Sequence, residues 1–460
     1  MVDLNIINGR AYLSNGLFEV GLSIESGKIV AIGKNDSLPK AGETINASNK
    51  IILPGAIDAH THILDLIFDY REDFLSGTQA AASGGITTIL EMPLGIEGVS
   101  VLDVFDKQLE VMNRRCLVDF GVIGAAGYSS IETIKDFAEK GAIAFKTFMI
   151  NPSEEEAELK DLAAKDDYFL IKIFSEIAKT GLVSCVHAEN DAIIANKIAH
   201  LLSIGRKDFQ AHTESRPAIS EDEACSRAML LAHYTKTKLH LVHMSSKKSF
   251  EMIKDAKLNG WDVTCEITPH HLFLTSEDGM RIGPWAKVDP PLRSKEHMLA
   301  AWNALNDGTI DMVASDHSPY NDEEKTPKNN NFFEVGSGTT GIETSLPMML
   351  NACNNNRISL NRLVEVMSTN PAKRFRLYPR KGVITINADA DLIIVNMRSK
   401  YVLKNADIFT KPKITIFDGM NLQGKIETTL VRGQIVYENG EFPVENGFGQ
   451  FINPQYSNPP

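Results

Sequence analysis

Ala142-Ile143-Ala144-Phe145-Lys146-Thr147-Phe148-Met149, then Leu170 to Lys179, then Leu182-Val183-Ser184-Cys185-Val186-His187, is the stretch that decides the fold. Two short, apolar, β-rich runs flank a segment whose apolar residues have helical spacing. That order predicts two parallel strands joined by a crossover helix. The rhythm continues in both directions. β-Rich apolar segments recur at about 57–62, 86–92, 118–123, 142–149, 182–187, 239–244, 262–267 and 310–316. Helix-like stretches fill most of the gaps, among them Val101 to Arg115, Ile131 to Lys140 and Lys295 to Asn306. Eight such units over roughly 310 residues fit an α/β fold of the (β/α)8 TIM-type barrel kind. An open doubly wound sheet is the alternative.

The two ends of the chain have a different texture. Asp3 to Ile7 and Val20 to Glu25 alternate apolar and polar residues, and Ser26-Gly27-Lys28 turns into Ile29-Val30-Ala31-Ile32. Gly382 to Ile386, Asp391 to Val395 and Thr428 to Val436 are also strand-like. Both ends therefore read as parts of one small β module beside the barrel. The polar run Lys325 to Asn331 reads as a mobile loop.

Composition narrows the function. The 460 residues carry 47 Lys and Arg against 59 Asp and Glu, a net charge of −12. An acidic chain is a poor partner for nucleic acid or an anionic membrane. No apolar run approaches the ~20 residues of a membrane span. No basic segment followed by an apolar one opens the chain, so no secretory signal is expected. Five scattered cysteines, 116, 185, 225, 265 and 353, without a CxxC pair, suit a reduced, cytoplasmic protein.

The chemistry lies at the strand tips. His60 and His62 end the first strand, and residues two apart project to one side of an extended chain. Lys146 ends the fourth strand, His187 the fifth, His243 the sixth and Asp316 the eighth. Each is a polar group at the C-terminal end of an apolar run, the face on which barrel active sites are built. Four imidazoles and a carboxylate suit Zn²⁺ and its first-row neighbours. A Lys buried at such a tip tends to lose its proton, and the neutral amine can add CO₂ to form a carbamate. The competing reading is a Lys that reaches out of the mouth or pairs with an acid. His240, three residues before His243, is expected to point the opposite way.

His60-x-His62, Phe145-Lys146-Thr147-Phe148, Val186-His187-Ala188-Glu189-Asn190, His243-Met244-Ser245-Ser246 and Ser315-Asp316-His317 resemble the cyclic amidohydrolases in order and context. That group holds hydantoinases, dihydropyrimidinases, allantoinases and dihydroorotases. The resemblance implies two divalent metal ions, Zn²⁺ first and Mn²⁺ or Co²⁺ as alternatives, bridged by a carbamate on Lys146 and by a hydroxide. His60, His62 and Asp316 would bind one ion, and His187 and His243 the other. The hydroxide would attack the carbonyl of a small cyclic amide or ureide, and Asp316 would move its proton to the leaving nitrogen. The family also implies that residues 1–55 and 375–460 pack into one small β-sandwich beside a barrel over 56–374, and that the chain forms a homodimer or homotetramer, with the tail from Phe442 to Pro460 wrapping a neighbour. A non-catalytic relative would lack metal ligands, and all six positions are filled here. A mononuclear deaminase-type barrel would not need Lys146.

The ring is narrowed by departures. Dihydroorotases carry Arg two residues after the second His, where this chain has Leu64, and Arg71 is the nearest Arg downstream. Dihydropyrimidinases and D-type hydantoinases place Tyr about five residues after the Lys, where this chain has Asn151. Glu91-Met92-Pro93-Leu94 and Ser315 to Pro319 resemble allantoinases, whereas Gly341 to Leu350, Phe417 to Met420 and Gly447 to Phe451 resemble L-type hydantoinases. Both open five-membered ureides, and dihydropyrimidinase or dihydroorotase activity is the alternative. Asn151, Pro291, Arg293, His317 and Gly341 are the expected substrate contacts. Ser318 to Gly341 is a candidate lid, Ser215-Arg216-Pro217 reads as structural, and His270-His271 could orient ligands.

Overall fold

Thr61 and His317 pair as a parallel bridge, and His62 N–H donates to the His317 carbonyl at 2.7 Å. This contact joins the first strand of a sheet to the segment after its last. The structure, a computed structural model, describes residues 1–14, 16–150, 161–164 and 166–454. The barrel strands are β1 (Ala56–Thr61), β2 (Ile86–Glu91), β3 (Asp119–Val122, continued by Gly124–Ala125), β4 (Ala144–Phe148), β5 (Val183–His187), β6 (Lys238–Leu241), β7 (Val263–Ile267) and β8 (Met312–Val313). Neighbours run parallel in sequential order, β1 beside β2 beside β3 and then β4 through β8. A doubly wound sheet reverses its order at a switch point and leaves two edges. Sequential order with joined ends is a closed (β/α)8 barrel.

Helices separate the strands where the spacing predicts them. Val101–Arg115 buries Val104, Phe105, Gln108 and Met112, one face of a helix, and Ser100 caps it at Leu102 N–H. Asp73 and Ser76 form a reciprocal cap on Phe74–Ser83. Asp166 caps Asp167–Thr180, which stops at Gly181 with φ +68°. Helices Asp191–Ser203 and Phe209–Ser215 form an insertion before Ala218–Thr235 returns the chain to β6.

Two sheets lie beside the barrel. One has the order Lys28–Gly33, Gly21–Glu25, Val2–Ile7, Ala41–Asn46. Its hairpin turns through Ser26 and Gly27, both at positive φ, as a two-residue turn requires. In the other, Ile51–Pro54 pairs antiparallel with Leu392 to Val395, so strands from both chain ends are adjacent. Leu4, Ile6, Leu22, Ile24, Ile52, Leu392, Ile394 and Leu430 share one core between the sheets.

One expectation fails. Gly382 to Ile386 is not a strand: Gly382 sits at φ +78° and the segment turns, although Ile384 is still buried with the sandwich core. Lys325 anchors the start of the polar run that ends at Asn331: it is buried and donates to the carbonyls of Gly336 and Gly338, while Lys328, Asn329 and Asn330 are exposed. The described part of the tail lies on its own barrel. Phe120 N–H donates to the Gln450 carbonyl, Ile452 N–H to Phe120, and Gly449 N–H to Cys116.

Candidate metal centre

The barrel brings the six strand-tip residues together. His60 Nε2 lies 3.1 Å from His62 Nε2 and 3.3 Å from Asp316 Oδ1, and His62 Nε2 lies 3.5 Å from the same oxygen. Lys146 Nζ is 3.4 Å from His60 Nε2. His187 Nδ1 and His243 Nε2 are 3.1 Å apart, and the His60 and His243 ring centres are separated by 5.4 Å. Two donor groups thus stand side by side, with Lys146 against the first and its amine 4.8 Å from the Phe148 ring.

Local backbone geometry aims these groups. The two-residue period of β1 puts His60 and His62 on one side. β6 and β8 end earlier than their apolar runs suggest, and His243 and Asp316 follow at φ +38° and +50°. Such left-handed residues cost about 1–2 kcal/mol each and concentrate at functional sites. The backbone twist at His243 also explains His240, which is not turned away from the centre. Alternation does not extend across it, and His240 Nε2 meets Glu266 Oε2 at 3.0 Å.

Two carboxylates fix the imidazoles. Glu266 Oε1 accepts from His60 Nδ1, so the Nε2 lone pair of His60 faces His62 and Asp316. Glu189 Oε2 accepts from His187 Nε2 at 2.9 Å, so Nδ1 of that ring faces His243. Partner carboxylates of this kind set a ligand's tautomer. The buried Nδ1 of His243 has no hydrogen-bond partner among the described residues.

The protonation states suit a cation. Burial, with a smaller push from His60, takes the His62 imidazole down to about 4 against the pull of Asp316. Burial and the neighbouring His187 hold His243 well below its usual value. Burial would raise Asp316, but His60, His62 and His243 outweigh it and keep the carboxyl well below the usual range. Burial lowers Lys146, opposed by Asp316 and Glu266. Neutral imidazoles and a charged carboxylate are the forms that bind divalent ions. Imidazole nitrogens facing one another at hydrogen-bond distance also fit a cation between them. His60, His62 and Asp316 form a group whose ligand atoms all lie within 4.8 Å of one another, able to hold a metal ion.

Around the centre, the expected substrate residues divide. Asn151 lies outside the described residues. Pro291 is buried in the loop after β7, where the neighbouring Pro290 carbonyl accepts from His271 Nε2 at 3.0 Å. His317 is buried with Nδ1 accepting from Gly341 N–H at 3.2 Å, so these two residues hold each other. Arg293 is a loop anchor rather than a free guanidinium. It donates to Ser245 Oγ at 3.0 Å and to the Arg216 carbonyl, and it pairs with Glu221. His271 buttresses the same loop, while His270 Nε2 has no partner among the described residues. Sequence reasoning missed Glu266, Glu189 as a partner, and Glu91. Glu91 accepts from Thr61 Oγ1 and from the Ile63 and Leu64 N–H groups just beyond β1, and burial pushes it up to about 8. An acid inside an otherwise apolar strand was the available signal.

Comparison with known proteins gives the family and supports the fold. Residues 51–436 match the model of the amidohydrolase family. The chain is 38% identical to the L-hydantoinase of Paenarthrobacter aurescens over 98% of each chain. It is 34% identical to the allantoinase of Rubrobacter xylanophilus, over 98% of this chain and 97% of that one. The solved L-hydantoinase (dihydropyrimidinase) from Arthrobacter aurescens superimposes with a TM-score of 0.94 at 38% identity, covering 98% of this chain and all of the other. A closed barrel with imidazoles and a carboxylate at its strand tips, matched along nearly its whole length, places this chain in the amidohydrolase family.

Proposed function

We propose that this chain is a cyclic amidohydrolase that opens a five-membered ureide ring of the hydantoin or allantoin class by hydrolysis. The observation that carries this reading is the adjacency of two donor groups. His60, His62 and Asp316 form one, His187 and His243 the other, and Lys146 stands at the first. Held by these residues and by a carbamate on Lys146, two divalent ions, with Zn²⁺ the first choice, would supply Lewis acidity and bring the pKa of water toward neutrality.

The chain's own residues do the rest. The Lys146 amine, biased toward its neutral form by burial, adds to CO₂ and releases one proton, giving an anion with two oxygens. Asp316 is charged and sits at the strand tip. Its carboxylate takes the proton of the attacking water and delivers it to the ring nitrogen as the C–N bond breaks. Glu266 and Glu189 keep the reactive nitrogens of His60 and His187 unprotonated. Arg71 does not offer a carboxylate clamp: its Nε donates to Glu324 Oε1 at 2.8 Å and its guanidinium lies over Tyr320. This disfavours a carboxylated dihydropyrimidine.

Residues 1–55 with 375–460 form the smaller domain in this reading, and 56–374 the catalytic barrel. The enzyme works as a homodimer or homotetramer inside the cell, where its five free cysteines stay reduced. The test is a substrate panel of allantoin, substituted hydantoins, dihydrouracil and dihydroorotate with Zn-, Mn- and Co-loaded protein. Turnover of hydantoins or allantoin is expected. Turnover of dihydroorotate alone, or of no ring by protein holding two metals, overturns the proposal.

A further inference from the structure

Both residues of the second donor pair are tied to one loop at the barrel mouth. After β5, Glu189 Oε2 takes His187 Nε2 and also accepts from Arg216 Nη1. The other terminal nitrogen of Arg216, Nη2, meets Asp289 Oδ2 at 2.9 Å, and Asp289 Oδ1 lies 3.3 Å from His212 Nε2. After β6, Ser245 follows His243 by two residues and accepts from Arg293 Nε at 3.0 Å. Glu221 caps the Ser245 and Ser246 N–H groups at 3.0 and 2.8 Å and pairs with Arg293. Arg293 also donates to the Arg216 carbonyl. The loop Asp289–Arg293 therefore grips the tips of β5 and β6 together. Glu189 is fully buried, whereas Arg216 and Asp289 are 13% and 19% exposed, so water and salt screen the bond to Glu189 less than the bond to Asp289.

A planar guanidinium can hold two carboxylates in fixed directions, which an ammonium on a flexible stem cannot. We propose that Arg216 is a positioning residue that couples the His187–His243 pair to the rim loop Asp289–Arg293, with one guanidinium bridging Glu189 and Asp289. Its first end keeps Glu189 on His187 Nε2, so that Nδ1 stays a lone-pair donor toward the centre. Its second end sets the shape of the loop past which a substrate reaches that centre. The inference rests on the metal-dependent hydrolase proposed above and gives a role to a residue that reads as structural from the sequence.

The two ends predict separable effects. Glu189→Gln presents an amide N–H to His187 and favours the wrong tautomer. Its uptake of a second zinc ion per chain should weaken by about 10–100-fold, the usual loss for such a partner, and kcat should fall with it. Asp289→Asn leaves the Glu189 contact in place. It should keep two zinc ions per chain and near-normal kcat while KM rises about tenfold. Arg216→Lys should show both defects. Zinc per chain is read by elemental analysis after loading and gel filtration, and kcat and KM on the best ring of the panel, each variant first matched to the wild type by circular dichroism. Equal zinc loss in Glu189→Gln and Asp289→Asn, or an Arg216→Lys enzyme with unchanged zinc and KM, overturns the coupling. If Glu189→Gln does not fold, the zinc and KM values of Arg216→Lys and Asp289→Asn decide alone. Wild-type protein that binds two zinc ions but opens no ring refutes the hydrolase reading only, and zinc uptake by the variants still tests the coupling.

Discussion

At the C-terminal end of the barrel, Asp316 and Glu266 are met mainly by imidazoles: His60 and His62 by the first, His60 and His240 by the second. At the N-terminal end, where β3 begins, Asp119 is met by cations. Lys381 Nζ lies 2.7 Å from Asp119 and 3.2 Å from Asp389, and it also bonds Asp391. Arg432 pairs with Asp119, Arg380 with Asp389 at 2.8 Å, and Lys28 with Asp389. Each end holds a trio of groups close enough to surround an ion. Counter-charge separates them. Below, three carboxylates already have four cations, and the network fastens the sandwich strands and the tail to β3. Above, lone pairs face one another with little to neutralise them. A buried cluster whose charges are complete holds a fold together, and one left incomplete is built to receive a ligand.

The sharpest way to break this contrast is to remove one group from each end. Asp316→Asn should lower kcat/KM by about 10²–10⁴-fold, the usual contribution of a positioned proton carrier. Lys146→Ala should lose most activity as well, with partial rescue by added short carboxylic acids. Neither should shift the urea midpoint much. Asp119→Ala should do the reverse. It leaves Lys381 and Arg432 buried with less counter-charge, which costs about 3–5 kcal/mol, while turnover per folded, metal-loaded molecule stays close to normal. A stable, inactive Asp119→Ala protein would make the lower cluster part of the chemistry.

The upper cluster is legible in the sequence and the lower one is not, for a physical reason. The proposed ligand residues declare themselves locally, because a polar group closing an apolar strand is costly to bury unless it binds something. His60, His62, Lys146, His187, His243 and Asp316 all have that signature. A partner 206 residues away, as Glu266 is from His60, leaves no local trace, since strand periodicity reports a face and not what faces it. The same holds for Lys381 and Asp119, separated by 262 residues. His240 defeats the sequence reading because two-residue alternation cannot be carried through a residue at φ +38°.

Glu266→Gln sharpens the comparison at smaller scale. The amide keeps the size of the carboxyl but can donate to His60 Nδ1, leaving Nε2 protonated. Metal affinity, read by competition with a chelator, should fall about 10–100-fold. An unchanged affinity would mean that Glu266 belongs with the structural acids of the lower end.

The smallest effect is expected at the edge of the lower network, and it tests whether burial or mere pairing gives that network its strength. Lys28 and Lys381 both bond Asp389, but the Lys28 side chain is 42% exposed and that of Lys381 is 1% exposed. An exposed pair is screened by water and salt and contributes less than about 1 kcal/mol. Lys28→Met should therefore move the urea midpoint only slightly, and by less still in about 0.5 M salt. Lys381→Met strips the buried cation from three carboxylates and should be severely destabilising at either salt concentration. If the two substitutions cost the same, the lower cluster is a set of independent surface pairs, and burial is not what distinguishes the two ends of the barrel.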